Sequence, residues 1–387
     1  MKVCFETFGC RLNKAEALQM EADYLANGWE LTKEHADADL FVVRGCSVTS
    51  RAQRDCEKLI ERLKRHHPTA KFRICGCIKA PSSIIQPPAP RAPKEPTVPV
   101  RTARAYLKAQ DGCAGQCTFC IVPKFRGVSK SEPWGETLDR ALRFIDAGYR
   151  EIVLTGCNLS LYASEGHRLP ELVAALADLS ADCRVRIGSV EPGACAIETI
   201  HAMAEKPNVC RFLHLPVQSG SNRTLLAMRR PYAVKDVDAA VELATKLMPG
   251  IGLGCDLIAG FPGETDLDFT ATRGLLKRLA FSNAHVFPYS KRPGTLAAGF
   301  PTQLTKEVRN ARAHELNKVI RNQRAHFAST FIGKTVEYIV ENETNYSGWS
   351  GEYLPCIPIT GRPERKSLAR LFVMKTKGEN LIGRIQK

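Results

Sequence analysis

Cys113, Cys117 and Cys120 fall within eight residues in a C-x3-C-x2-C spacing. Thiolates are the usual ligands of iron–sulfur clusters, and so tight a loop can wrap three of them around one face of an iron–sulfur cube. No fourth cysteine follows at ferredoxin-like spacing. One iron would then lack a protein ligand, and an open coordination position separates a reactive metal site from a closed structural one. Gly112 and Gly115 allow the loop to turn, while Phe119, Ile121 and Val122 can shield sulfur from water. Zinc is the alternative, but zinc modules set two ligand pairs apart by a spacer, a layout that three bunched cysteines do not fit.

Three further cysteines, Cys10, Cys46 and Cys77, are far apart in the chain. The pattern predicts strands at Lys2–Phe8, Leu40–Val43 and Phe72–Cys75, with helices at Asn13–Asn27 and Thr49–Arg65 between them. The second helix has Cys56, Leu59, Ile60 and Leu63 on one face. Such alternation implies a parallel sheet with right-handed crossovers. Each cysteine then lies one to three residues past a strand end, at the carboxyl edge where α/β sheets hold ligands. Three thiolates could converge there on a second cluster with an open iron; three unrelated core thiols are the competing reading. Cys75 competes with Cys77 for the third place.

The first triplet needs a frame of its own. Ala105–Ala109 reads as a strand that delivers the cysteine loop. Helix Trp134–Ala147, strand Glu151–Leu154, helix Pro170–Leu179, strand Cys183–Gly188, helix Ala196–Ala204 and strand Arg211–Leu213 follow. Helix Val234–Lys246, strand Leu253–Ile258, helix Asp266–Leu279 and strand Asn283–Phe287 complete the pattern of an open (β/α)6 barrel. Reactive residues of such barrels sit on the loops after strands. Gly156, Asn158, Glu191, Gln218 and Ser219 obey that rule, and glycine there permits close backbone approach to a nucleoside. Glu191 reads equally as a solvated carboxylate at a Pro turn, and His214 as a satisfied core histidine. Asp256, inside an apolar strand, needs a partner if buried. Cys157 is read as a bystander.

The loop, with Ile121-Val122-Pro123 and Arg126-Gly127 behind it, resembles the radical S-adenosylmethionine (SAM) methylthiotransferases. Ser189-Val190-Glu191-Pro192, His214-Leu215-Pro216-Val217-Gln218-Ser219-Gly220-Ser221, Met228-Arg229-Arg230-Pro231-Tyr232, Asp256–Thr265 and Phe287-Pro288-Tyr289-Ser290 agree with that resemblance. It implies two 4Fe-4S clusters, one binding SAM on Cys113, Cys117 and Cys120 and an auxiliary one on Cys10, Cys46 and Cys77. Cys77 is preferred to Cys75 because Gly76-Cys77 matches the family's Gly-Cys pair. Gly156, Asn158, Glu191 and Gln218 would hold cofactor. The implied reaction begins with reductive cleavage of SAM and ends with transfer of S–CH3 to an unactivated carbon. Substrates in the family are tRNA adenosines beside the anticodon, or a ribosomal protein, and an electron donor such as flavodoxin or ferredoxin is needed. Glu191, Gln110-Asp111-Gly112 and Ser129-Lys130-Ser131 look most like the branch acting on N6-threonylcarbamoyladenosine in the tRNA anticodon stem-loop. The alternatives are isopentenyladenosine, a ribosomal protein, or a non-catalytic iron–sulfur RNA-binding relative. Arg44-Gly45 departs from the family's usual Asn-Thr before the second cysteine; an arginine beside a cluster would favour its reduced form.

Bulk properties agree with a multidomain enzyme. At 387 residues the chain can form two or three domains, and 44% hydrophobic with 25% charged residues is ordinary for a globular protein. No apolar run is long enough to span a membrane and no leader pattern opens the chain, so a cytoplasmic location is expected. Fifteen cysteines leave at least one outside any all-disulfide scheme, which in a reducing compartment favours metal or redox roles. A net charge of +15 favours a polyanionic partner. Residues 1–80 are expected to form the auxiliary-cluster domain and 81–101, rich in proline, an extended linker. Residues 102–329 form the radical SAM domain and 330–387 a small β-barrel resembling the TRAM module, an RNA-binding fold. Lys306, Arg309, Arg312, Lys318, Arg321 and Arg324 are expected to line one positive stripe of a helix Lys306–Phe327. Tyr346, Trp349 and Tyr353 could stack bases or pack in the core.

Overall fold

The computed structural model describes residues 1–78, 102–342 and 344–386; the expected proline-rich linker, 81–101, lies outside them. At the N-terminus β1 (Lys2–Thr7), α1 (Arg11–Ala26), β2 (Glu30–Thr32), β3 (Leu40–Cys46), α2 (Ser50–His66) and β4 (Lys71–Cys77) follow in order. They form a parallel sheet β2-β1-β3-β4. Leu59, Ile60 and Leu63 of α2 pack on Phe41, Val43, Phe72 and Ile74, while Tyr24 and Met20 of α1 cover Val3, Leu40 and Val42. The short edge strand β2 escapes periodicity because three residues carry no alternation. β3 and β4 also run further than expected. The pairs Arg44↔Cys75, Gly45↔Gly76 and Cys46↔Cys77 extend the ladder beyond the apolar run, because backbone pairing does not require apolar side chains. Cys46 and Cys77 are therefore the last residues of their strands rather than residues beyond them.

The central region contains β5 (Arg104–Lys108), β6 (Gln110–Asp111), α3 (Val122–Arg126), β7 (Lys130–Ser131), α4 (Trp134–Asp146), β8 (Glu151–Thr155), β9 (Ala163–Ser164), β10 (His167–Arg168) and α5 (Leu169–Asp178). It continues with β11 (Arg184–Ile187), α6 (Ala194–Glu205), β12 (Phe212–Gln218), α7 (Asn222–Ala227), α8 (Val234–Leu247), β13 (Gly252–Ala259), α9 (Asp266–Leu279) and β14 (Asn283–Pro288). Two parallel sheets, β5-β8-β11 and β12-β13-β14, meet through the bridges Val185↔Val209 and Ser189↔His214. The result is the six-stranded open barrel. Leu213, Leu215, Val217, Leu253, Cys255 and Leu257 enter the main core with residues of the surrounding helices. Strand alternation turns Phe212, His214, Gly254 and Asp256 to the barrel's inner face. The hairpin β6–β7 closes the base of the cysteine loop.

After α10 (Lys306–Ser329), β15 (Thr335–Val340), β16 (Gly348–Ser350), β17 (Pro355–Thr360), β18 (Leu368–Lys377) and β19 (Asn380–Gln386) close a barrel in the order β15-β16-β17-β19-β18. The Gly/Ser-containing segment Gly348–Ser350 forms strand β16. Its Gly348 lies so near Ile339 that an added Cβ would come within 1.7 Å of the carbonyl oxygen. The positive stripe on α10 is not continuous. Arg312 is buried against Glu264 and Asp266, Arg324 pairs with Glu379, and Arg309 donates to the Tyr289 carbonyl; Lys306, Lys318 and Arg321 remain exposed. Three-residue steps fall about 60° short of a full turn on an α-helix, so such a row winds around the axis rather than following one face.

The small barrel docks at the amino ends of the strands, opposite the cysteine loop. Glu151, fully buried, accepts from Arg184 and Arg186, whose outer nitrogens reach the carbonyls of Trp349, Ser350 and Gly351. Tyr353 stacks on Phe212 at 4.9 Å and on Trp349 at 4.8 Å, beneath the guanidinium groups of Arg186 and Arg11. Trp349 and Tyr353 are thus packing residues, and Tyr346 packs against the small barrel's core.

Burial alone would raise the Glu151 carboxyl, but Arg184, Arg186 and Arg104 together hold it well below the usual carboxylate range. Glu151→Ala would leave two buried guanidinium groups without their anion. We expect it to cost about 3–5 kcal/mol, measured as a lower urea midpoint. Because the folded carboxyl lies below its unfolded value, this stabilisation is present above roughly pH 4.3 and is lost as pH falls further.

Candidate functional site

The cysteine loop hangs from Gln110, which is fully buried. Gln110 Nε2 donates to the carbonyls of Asp111 (2.7 Å) and Gly112 (2.8 Å) and to Ser129 Oγ (2.9 Å), while its Oε1 accepts the Asn158 amide at 2.8 Å. Gly112 has φ +65°, and an added Cβ would meet the Val128 carbonyl oxygen at 1.9 Å. Only glycine lets the two ends of the loop approach, and there the Cys113 amide donates to the Gly127 carbonyl at 3.1 Å.

Within the loop the Gly115 amide donates to Cys113 Sγ (3.3 Å) and Arg230 Nη1 to Cys117 Sγ (2.9 Å). A Cβ on residue 115 would sit 3.1 Å from Cys113 Sγ and 3.7 Å from Cys117 Sγ, so glycine keeps the cradle open. Burial pushes the Cys117 thiol up despite Arg230, and pushes Cys120 up to about 11, with the charges of Cys117 and Cys113 adding to it. As free thiols they hold their protons at neutral pH, so a metal that takes them must displace those protons. Three soft donors around a glycine-lined cradle fit an iron–sulfur cluster.

The dispersed triplet also meets. Cys46 and Cys77 are register partners on β3 and β4, and Cys10 stands at the N-cap of α1. Gly9, at φ +90°, passes so close that an added Cβ would lie 2.7 Å from Cys46 Cβ. Burial raises Cys46 and Cys77, and the neighbouring thiols of the triplet raise both further. Cys75 faces elsewhere: its Sγ lies 3.4 Å from Arg44 Nη1 and 3.9 Å from the Val43 carbonyl oxygen. Arg44 does not face the triplet either. Its guanidinium pairs with Glu16 and donates to Met20 Sδ at 3.0 Å, so the expected bias toward a reduced cluster has no basis in the geometry.

Arg126 occupies the position expected of Arg44. Its Nε donates to Cys77 Sγ at 3.0 Å, its Nη1 to Glu16 and Asp111 at 3.0 Å each, and its Nη2 to Asn13 at 2.9 Å. One side chain therefore spans from the N-terminal sheet to the cysteine loop. Burial opposes the charge of Arg126, but Glu16 and Cys77 overcome that and hold it protonated. Burial would likewise raise Asp111, yet Arg126, the Gly112 amide and Lys108 keep its carboxyl below the usual range. The Arg126-Gly127 pair was visible in the sequence; the long reach of its side chain was not.

Of the other sequence candidates, Gly156 and Asn158 brace Gln110 rather than stand free. A Cβ at Gly156 would meet Gln110 Oε1 at 2.9 Å, and Asn158 Oδ1 accepts the Ser160 amide at 3.2 Å. Glu191 pairs with Arg230, whose Nε donates to Tyr232 at 2.9 Å. The segment carrying Arg230 is tied to the loop, because Thr118 donates from its amide to Met228 and from its hydroxyl to Ala227. Arg230 is thus a site residue that the Met-x-Arg-x-Tyr pattern could have disclosed. Gln218, with φ +65°, ends β12; Ser219 is buried beside Thr272. His214 pairs with Asp256. Cys157 Sγ lies 3.5 Å from Asp111 Oδ1. Among the described residues no helix is long and apolar enough to cross a membrane.

Comparisons with known proteins agree with this geometry. Residues 107–276 match the Radical SAM superfamily and residues 2–84 a family described as Uncharacterized protein family UPF0004. The chain is 30% identical, over 92% of its length and 90% of the relative's, to threonylcarbamoyladenosine tRNA methylthiotransferase MtaB of Bacillus subtilis. It is also 30% identical, over 99% and 97%, to the tRNA-2-methylthio-N(6)-dimethylallyladenosine synthase of Chlorobium limicola. Among solved structures, the radical SAM methyltransferase TsrM from Kitasatospora setae superposes with a TM-score of 0.53 at 14% identity, covering 75% of this chain and 74% of that one. That is a likeness of fold.

Proposed function

The chain belongs to the radical SAM methylthiotransferases, and from that premise we propose that it adds a methylthio group to C2 of N6-threonylcarbamoyladenosine beside the tRNA anticodon. The observation that carries this reading is the pair of cysteine triplets linked through Arg126. Cys113, Cys117 and Cys120 are assigned to the SAM-binding 4Fe-4S cluster, and Cys10, Cys46 and Cys77 to the auxiliary one. When bound, these groups supply reductive SAM cleavage and a sulfur to transfer, chemistry that no side-chain acid or base can perform on an aryl C–H. The protein's own groups position them. Gln110 anchors the loop, Arg230 ties Cys117 to Glu191, and Arg126 ties Cys77 to Asp111. Gly156, Asn158, Glu191 and Gln218, near the carboxyl ends of β8, β11 and β12, are assigned to the SAM pocket.

Residues 1–80 then carry the auxiliary site, 102–329 the radical chemistry and 330–387 the RNA contact, with flavodoxin or ferredoxin as reductant. The +15 charge suits a tRNA partner. The branch assignment rests on Gln110-Asp111-Gly112 and Ser129-Lys130-Ser131, which form the base of the loop. Nucleosides from the tRNA of a deletion strain should lack 2-methylthio-N6-threonylcarbamoyladenosine and accumulate its unthiolated precursor. An unchanged level would overturn the reading, and loss of the methylthiolated dimethylallyl nucleoside instead would move the chain to that branch.

A further inference from the structure

We propose that His214, Asp256 and His285 form a binding site for one first-row divalent cation on the inner face of the barrel, separate from both cysteine triplets. The three residues lie on adjacent parallel strands β12, β13 and β14, and Asp256 and His285 are direct register partners. Their neighbours in sequence, Leu213, Leu215, Cys255, Leu257, Ala284 and Val286, all pack in or against the helix-facing core. Alternation therefore places this triplet together on the opposite face.

The spacing suits one ion. His214 Nε2 and His285 Nδ1 each lie 3.1 Å from the same oxygen, Asp256 Oδ1, and all three ligand atoms fall within 4.8 Å of one another. Ligand atoms sharing a cation at bond lengths of about 2.0–2.2 Å stand roughly 3.0–3.4 Å apart. The strand pattern also makes room, because a Cβ on Gly254 would come within 2.6 Å of His214 Nδ1. Two imidazoles and one carboxylate favour zinc or iron(II) over magnesium or calcium, which take oxygen donors, and three protein ligands leave coordination positions open. Asp256 brings a negative charge into the barrel wall, where a partner is required, and both histidines turn a ring nitrogen toward that same carboxylate oxygen. His285 is exposed, which leaves a route for the ion to enter.

Among the described residues a second histidine-containing group, Cys4, Glu6 and His35, is already committed to other contacts. His35 already pairs with Glu6 at 2.7 Å and its ring packs on Phe41, while Cys4 belongs to the N-terminal core.

The site does not depend on the methylthiolation reading. Full-length protein with its iron–sulfur centres reconstituted anaerobically would be equilibrated with zinc, dialysed, and counted for zinc and iron. We expect about one zinc per chain at unchanged iron content, with affinity at least about tenfold weaker in His285→Ala and in Asp256→Asn. Zinc-edge anomalous scattering from crystals should place the ion between the three side chains. Because His285 is exposed, His285→Ala remains informative even if Asp256→Asn disturbs folding. Equal zinc retention by wild type and His285→Ala at equal iron content, or none in either, would overturn the proposal.

Discussion

Cys113→Ala should reduce SAM cleavage to the uncatalysed background while tRNA binding stays close to wild type. The effect on cleavage is large because a three-ligand site has no spare donor. Cys113, Cys117 and Cys120 are held by one short loop, with Gln110 and Gly112 fixing its ends. Cys157 lies outside that loop, and its Sγ stands 3.5 Å from Asp111 Oδ1. Binding should survive because the net charge of +15, which favours a phosphate-bearing partner, is left untouched by the substitution. Anaerobic assay of 5′-deoxyadenosine release alongside a filter-binding titration checks both. Cleavage at the wild-type rate would show that the loop does not carry the SAM-binding cluster.

Replacing Cys10, Cys46 and Cys77 by Ala should lower iron from about eight to about four per chain. SAM cleavage should persist while the methylthiolated product is lost. The two triplets are separate donor sets, the second built from the carboxyl edge of β3 and β4 with the N-cap of α1. Their link is Arg126, which contacts Cys77 on one side and Asp111 on the other. The first triplet stays intact because its loop is closed by bonds within residues 110–131. Iron and sulfide analysis of both proteins decides it. About four irons in each would mean that the first domain holds no cluster, and the product would have to be something other than a methylthiolated base.

The sequence alone was enough for the cysteine loop, the strand–helix alternation and the division into three structural regions. These are local signals. Three cysteines within eight residues constrain one another directly, and core strands declare themselves by apolar runs. Helix α9 was delimited to the residue. The sequence also raised the question of Asp256, whose burial demanded a partner.

Tertiary structure decided the rest. Arg126 reaches Glu16, 110 positions away in the chain, and Arg230 reaches Cys117, 113 away; no periodicity encodes such contacts. Arg44 looked like the charge beside a cluster, yet Glu16 and Met20 take its guanidinium. Gly156 and Asn158, read from the sequence as cofactor contacts, also lock Gln110 in place. Trp349 and Tyr353 could have stacked bases, but Tyr353 stacks instead between Phe212 and Trp349. The basic row of α10 dissolved because a three-residue step drifts around a 3.6-residue helix. Composition and spacing thus determine which elements form and which residues could ligate. Which charges meet depends on how separate elements pack, because long side chains such as arginine pair through space with groups that sequence separation does not reveal.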